Sequence, residues 1–248
     1  MIHYKRGLLR IAEVWFDEEP PVRNVDIVRF FQRTQPLPGS LPRPYHTIVI
    51  DLNEAADVLF AKMNKGARYE IRRAKEKDFL VYKSWRPVPG KVLDDFRNAF
   101  DQFATSKGIT RNHNRLLNLN SIRGLQVSSV SSQEGEILTW HVYAHFVHRV
   151  RLLHSASSQH PQDDNARKAL YGRANRFHHW QDLLTFQADA VHTYDFGGWY
   201  AGNADPHLLG INKFKEEFGG TVICNYNFEI GVTVFGRIVL AAYRRFSK

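Results

Sequence analysis

The chain of 248 residues is almost without cysteine: Cys224 is its only one. It therefore holds no intramolecular disulfide and no Cys-ligated zinc. It also lacks long apolar runs. No stretch reaches the roughly 18 to 20 apolar residues that cross a bilayer. The opening Met1-Ile2-His3-Tyr4-Lys5-Arg6, with Glu13 and Asp17 soon after, has no uncharged segment of signal-peptide type. These absences lead to an expectation of a reducing, cytoplasmic setting with no transmembrane segment. Internal repeats and low-complexity tracts are missing too. Apolar residues make up 43% and aromatics 13% of the chain, enough for a packed core, so a disordered chain is excluded.

What is present in excess is positive charge. The 34 Lys and Arg outnumber the 25 Asp and Glu, a formal net charge of +9. Such a balance implies an anionic partner: nucleic acid, nucleotide, phosphorylated substrate or membrane surface. The charge is local. Residues 62–91 carry Lys62, Lys65, Arg68, Arg72, Arg73, Lys75, Lys77, Lys83, Arg86 and Lys91 against Glu70, Glu76 and Asp78, which is 10 − 3 = +7. On a helix over Arg68–Lys77, Arg68, Arg72 and Lys75 share a face at i, i+4 and i+7. Like charges so placed repel, and a bound anion would offset that repulsion. The competing reading is an ordinary solvated helix.

Residues 1–35 show no clear period. Pro36–Pro44, with prolines at 36, 38, 42 and 44, reads as a linker. Thr47–Leu52 reads as a strand. Asn53–Lys65 reads as an amphipathic helix with Asn53 as N-cap. Strand Phe79–Trp85 precedes helices Val92–Ser106 and Asn112–Arg123. Strands Leu125–Ser131, Ile137–Val147 and Val150–Ser155 follow, with Gln133–Glu136 a hairpin turn. Asp163–Ala190 is the longest helix, capped by Asp163 or Asp164, with Ala166, Leu170, Phe177, Trp180 and Leu184 as its buried stripe. Strand His192–Phe196, helix Pro206–Phe218, strand Val222–Tyr226 and a partly helical Val232–Phe246 complete the chain. The alternation is too irregular for a doubly wound sheet and fits a mixed sheet with a central helix.

The densest constellation is Tyr194-Asp195-Phe196-Gly197-Gly198, followed by Gly210–Gly220 with a second double glycine. Two glycines after a strand let the backbone turn sharply and approach a ligand. A helix starting near Pro206 would aim its N–H groups at that ligand. The alternative is that both glycine pairs are turns and helix ends.

Three segments resemble the FemAB-type transferases, in that family's order. Arg68–Lys77 is similar to its R-x-x-I-R-(K/R)-A-x-K segment, Tyr194–Gly198 to its Y-D-(F/L)-G-G, and Gly210–Gly220 to its G-(I/L)-x-x-F-K-x-x-F-G-G. The resemblance spans roughly residues 47–228. It implies an α/β (α+β) fold of the GNAT-like kind, a mixed, mostly antiparallel sheet flanked by helices. It also implies transfer of an aminoacyl group from aminoacyl-tRNA to an amine on a peptidoglycan precursor, or acylation of a polysaccharide, lipid or small molecule. Full members carry two tandem GNAT-like domains. Here residues 1–46 are expected to be an extension and Pro-rich linker, and 47–248 a single GNAT-like domain.

The usual acyl-CoA signature, (Q/R)-x-x-G-x-(G/A), would open the long helix. Gln159–Ala166 has no glycine there and carries Asp163 and Asp164, which favours aminoacyl-tRNA over acyl-CoA. The acyl donor would be a co-substrate, with no bound cofactor. By resemblance Lys215 contacts the donor and stabilises an oxyanion as a fixed cation. Arg68, Arg72, Arg73 and Lys75, with Tyr194, Gly197, Gly198, Trp199 and Lys213, would hold phosphate or substrate, Trp199 by stacking. Asp195 either orients the amine or bonds the N–H groups of the next turn. His154 is either a general base or a core histidine.

No metal site is expected. His141 and His145 lie about 13 Å apart along one strand, and His178 and His179 diverge on a helix. Three functions stay in view: an acyl- or aminoacyltransferase with an anionic donor or acceptor, tRNA included; an acyl-CoA-dependent N-acyltransferase; and a non-catalytic basic protein binding RNA or another polyanion. The sequence sets no oligomeric state.

Overall fold

The computed structural model describes residues 1–19, 24–108, 113–160 and 162–246. In chain order the elements are β1 (Ile2–Arg6), β2 (Leu9–Trp15), β3 (Ile27–Arg33), β4 (Arg43–Asp51), α1 (Ala56–Lys62), α2 (Lys65–Glu76), β5 (Val81–Trp85), α3 (Gly90–Lys107) and α4 (Asn114–Ser121). Then come β6 (Leu125–Ser131), β7 (Ile137–His145), β8 (Arg149–Ser157), α5 (Asn165–Ala188), β9 (Thr193–Gly198), α6 (Pro206–Glu216), β10 (Thr221–Gly231) and α7 (Val234–Phe246). The expected helix start at Asn112, and Pro161 ahead of the long helix, lie outside the described residues.

The chain forms two compact units. One comprises Met1–Thr47, Gly198–Ala201 and Val222–Lys248, the other Ile48–Gly197 and Gly202–Thr221. In the first, strands run in the order β1-β2-β3-β10. β1 and β2 are antiparallel, β2 and β3 parallel, β3 and β10 antiparallel. Strand alternation sends Ala12, Val14, Val28 and Phe30 to one face, where Phe30 stacks on Phe228 at 4.8 Å between ring centroids. Ile11 and Ile27, directly paired, turn to the other face and meet Leu240 of α7.

The second unit is a sheet in the order β4-β9-β8-β7-β6-β5. The ladders β5–β6, β6–β7 and β7–β8 are antiparallel, and β8–β9 is parallel. Every residue of β7 after Ile137 is buried, because helices cover both of its faces. His141 and Tyr143 turn toward α5. Trp140 turns the other way, edge-on to Phe96 of α3.

The mixed, mostly antiparallel sheet flanked by helices is therefore the observed architecture. Three details differ from the sequence reading. Residues 1–35, left without elements, hold three strands. Pro44 sits inside β4, at its second residue, where a missing N–H is tolerated. The helix expected over Asn53–Lys65 is two helices. Asn64 accepts a 2.6 Å bond from Ala67 N and caps α2, while Asn53 bonds Asp51 instead.

Candidate functional site

The end of β9 is built around Asp195, which is wholly buried. One carboxylate oxygen accepts from the Arg149 guanidinium at 2.5 Å, the other from the backbone N–H of Gly197 at 2.7 Å. The second bond is the turn-holding role weighed for Asp195 from sequence. Gly197 adopts φ +73°, and a Cβ there would lie 2.9 Å from the carbonyl oxygen of Leu152 on β8. No other residue fits both conditions.

Above this turn, α6 supplies Lys215. Its ammonium donates to the Gly197 carbonyl oxygen at 3.4 Å. Burial draws the Lys215 amine down to about 8; Asp195 opposes the shift and Arg151 reinforces it. The structure thus brings Lys215, Asp195 and Gly197 together. Lys213, on the same helix, is exposed. The α6 N-terminus is not open to a ligand as expected: the Asp205 carboxylate takes the N–H groups of His207 and Leu208, at 2.9 and 3.1 Å. The second double glycine closes the helix. Gly219, at φ +77°, packs where a Cβ would stand 2.8 Å from the Lys62 carbonyl oxygen.

The basic run lies on α2. Ala67, Ile71 and Ala74 bury one side of that helix. Arg72, Arg73 and Lys75 are exposed and Arg68 is half-buried. Arg72 lies 5.2 Å over the Phe60 ring. Arg72 and Lys75 line an open groove of about 390 Å³ floored by Ile71, Phe177 and Trp180. Arg176 of α5 joins this helix to α6: it pairs with Glu70 at 3.0 Å and with Glu217 at 2.8 Å. No sequence motif marked Arg176.

In the first unit, Trp199 is half-buried and its backbone N–H donates to the His46 carbonyl at 2.8 Å. Gly198 lies where a Cβ would stand 3.2 Å from the Tyr45 hydroxyl. His154 sits among the Phe96 and Phe100 rings, 4.5 Å from the latter. Burial first, then Arg151, His113 and Arg115, lowers its imidazole to about 4.

Tyr194 is fully buried within a polar network that sequence reasoning missed. Asp182 of α5 accepts from Tyr82 (2.9 Å), Ser128 (2.7 Å), His141 Nδ1 (2.7 Å) and Tyr143 (2.5 Å). The Tyr143 hydrogen is spent on Asp182, so Tyr194, 2.9 Å away, donates to Tyr143. The Tyr194 oxygen then accepts from His179 Nδ1 at 2.7 Å. This arrangement puts one hydrogen in every gap and leaves Nε2 as the lone-pair nitrogen of a neutral His179. Burial first, then His141, Lys215 and Arg176, holds His179 well below its usual range.

His178 and His179 thus converge on the sheet rather than diverge. His178 meets Thr139 and Ser128, each at 2.8 Å, and stacks on His141 at 3.7 Å. Ligating atoms of His141, His179 and Asp182 lie within 4.8 Å of one another, and hydrogen bonds engage His141 Nδ1 and both Asp182 oxygens. The buried side of α5 is accordingly Tyr171, Ala174, Phe177, Asp182, Leu183 and Phe186 with the two histidines. Of the stripe expected from sequence, Phe177 alone is buried; partners on the sheet draw the polar residues inward.

At the start of α5, Asp164 caps the Arg167 N–H at 2.7 Å, and Asp163 accepts from His160 N at 2.6 Å.

No family model and no curated protein matches the sequence. Solved structures do match in fold. FemX superposes with a TM-score of 0.60 at 14% identity, over 75% of this chain and 61% of FemX. The C-terminal domain of a putative lysylphosphatidylglycerol synthetase from Agrobacterium fabrum gives 0.59 at 13% identity, over 96% of this chain and 82% of that one. L-PGS from Bacillus licheniformis gives 0.57 at 12% identity, over 98% and 84%. The chain spans about three-fifths of FemX. The likeness is one of fold: the mixed, mostly antiparallel sheet flanked by helices is shared with these structures.

Proposed function

We propose that the protein is an acyltransferase that moves an activated acyl group onto an amine of a cell-envelope precursor, sugar or small molecule. The carrying observation is Lys215: a half-buried ammonium held against the Gly197 carbonyl at the end of β9, on a FemX-like fold. In aminolysis of an ester the neutral amine attacks the carbonyl carbon. A C–N bond forms and the carbonyl electrons move to oxygen. Collapse of the tetrahedral intermediate breaks the C–O bond, and the departing oxygen takes the proton the amine gives up. A cation fixed beside that centre stabilises the oxyanion. With a pKa of about 8, Lys215 is mostly charged at neutral pH.

Aminoacyl-tRNA is the favoured donor, entering as a co-substrate. Two features support this. Asp164 takes the Arg167 N–H at the start of α5, where an acyl-CoA diphosphate would need free N–H groups, and Asp163 adds a second negative charge just before the helix. The exposed Arg72, Arg73 and Lys75 on α2 suit the phosphates of a polynucleotide.

The test is transfer itself. Purified protein is given labelled aminoacyl-tRNA, or labelled acyl-CoA, with an amine-bearing cell-envelope extract. Label is expected to move from tRNA to the extract, and Lys215→Ala is expected to slow this about a hundred-fold. Label moving only from acyl-CoA would replace the donor, and no transfer from either would end the transferase reading.

A further inference from the structure

The first unit carries a helix with one face docked and another bare. α7 docks through Gly236 and Leu240. Gly236 packs so closely on Asp26 that a Cβ would lie 2.0 Å from its carbonyl oxygen, and Leu240 is 5% exposed against Ile11 and Ile27. The helix start is fixed by Thr233, which accepts from Gly236 N and donates to Asp26, itself forked by Arg10.

The opposite face is apolar and open. Val234 (72% exposed), Ile238 (62%), Ala241 and Arg245 follow one another at i, i+4, i+7 and i+11, one stripe of the helix surface. Phe235 (46% exposed) and Ala242 border it. Soluble helices turn such a stripe inward; α7 turns it out. Its flank carries Arg237 and Arg244, tied to the Gly231 and Glu229 carbonyls. After Glu229 the sequence has Arg237, Arg244, Arg245 and Lys248 and no acidic residue.

We propose that α7 is a membrane-docking helix that lies on an anionic lipid surface, with Val234, Phe235 and Ile238 entering the headgroup boundary and the arginines meeting lipid phosphates. Exposed apolar side chains with arginines on one flank and at the end of the stripe, on a short helix docked by its other face, are what such docking requires. A second copy of the chain fits less well, because a symmetric pairing would set arginine against arginine with no carboxylate on the helix to meet it. The proposal does not depend on the catalytic reading.

The test is vesicle flotation with the full chain. The probes are vesicles of phosphatidylcholine alone and of phosphatidylcholine mixed with phosphatidylglycerol. Flotation is expected with the anionic vesicles and to weaken at high salt. Ile238→Glu and, separately, Arg245→Glu are each expected to reduce it by about ten-fold or more. Both positions are exposed, so unchanged circular dichroism is expected. A dye on Ile238→Cys, in a Cys224→Ser background, is expected to shift to the blue on anionic vesicles. Equal binding to both vesicle types, no binding to either, or binding untouched by both variants would overturn the proposal. So would a wild-type dimer in solution that Ile238→Glu dissociates.

Discussion

The Lys215 ammonium donates its 3.4 Å hydrogen bond to the carbonyl of Gly197, the residue whose own N–H is held by Asp195. Position 197 therefore links the cation of α6 to the carboxylate of β9. Gly197→Ala forces a Cβ to within 2.9 Å of the Leu152 carbonyl at φ +73°. The expected cost is about 2 kcal/mol of stability, read from urea denaturation, with acyl transfer falling as the Lys215 anchor moves. A variant of unchanged stability would show that the turn tolerates a side chain.

Lys215 itself is costly to keep charged. Its amine binds a proton up to the ordinary lysine value of 10.5 in the unfolded chain, but only to about 8 in the fold. Between those values the unfolded chain holds more protons, so stability from this group rises as pH increases from 8 to 10.5. At pH 7 the charged, half-buried amine is a burden. Lys215→Met is expected to raise stability at pH 7 by about 1 kcal/mol while slowing transfer about a hundred-fold. A Met variant that is both less stable and inactive would mark Lys215 as structural.

The same titration sets a rate signature. If Lys215 acts as a cation, wild-type transfer is lost as pH rises through about 8. Lys215→Arg keeps its charge across that range. Whatever activity this variant retains is expected to show no loss near pH 8. A falling limb that persists in Lys215→Arg would assign the titration to another group.

Much of this was legible in the sequence, and the failures share a cause. The extents of β6, α5, β9 and α6 follow from local patterning, caps and glycine pairs, all of which act within a few residues. Strands β2 and β3 do not. Glu13 is buried under the Tyr4 hydroxyl, Arg29 pairs with Glu229 at 2.7 Å, and Gln32 N bonds Asn227 at 2.8 Å. Arg29 looks solvent-facing in a window, yet its partner lies 200 residues away. The buried side of α5 escaped for the same reason. His178, His179 and Asp182 enter the core because Ser128, Thr139, His141, Tyr143 and Tyr194 supply their hydrogen bonds. Lys215 and Asp195 stand out in the sequence because a motif names them; Arg176, which pairs with Glu70 and Glu217, has none.

The buried histidines are expected to make the fold acid-sensitive. Burial holds His178 and His179 well below the usual histidine range, and His145 and His154 at about 4. All four are neutral in the fold at pH 7. In the unfolded chain they take protons near 6.5, so their contribution to stability is full above 6.5 and drains as pH falls toward 4. The melting temperature is expected to drop steeply across that window. His154→Phe, placed among Phe96 and Phe100, is expected to make the slope shallower by one proton, because the variant no longer titrates there.

Asp182 is expected to be the least replaceable residue of the network. Asp182→Ala strands the fully buried Ser128 and Tyr143 hydroxyls and His141 Nδ1–H, and removes the acceptor of the half-buried Tyr82 hydroxyl. Each buried donor left without an acceptor costs roughly 1–3 kcal/mol, so about 4 kcal/mol or more is expected, enough to unfold a marginal domain. Tyr143→Phe removes one donor and is expected to cost about 1–2 kcal/mol. Chemical denaturation of the two variants measures the difference. An Asp182→Ala protein no less stable than Tyr143→Phe would mean that the four donors find other acceptors, and that the carboxylate does not organise this core.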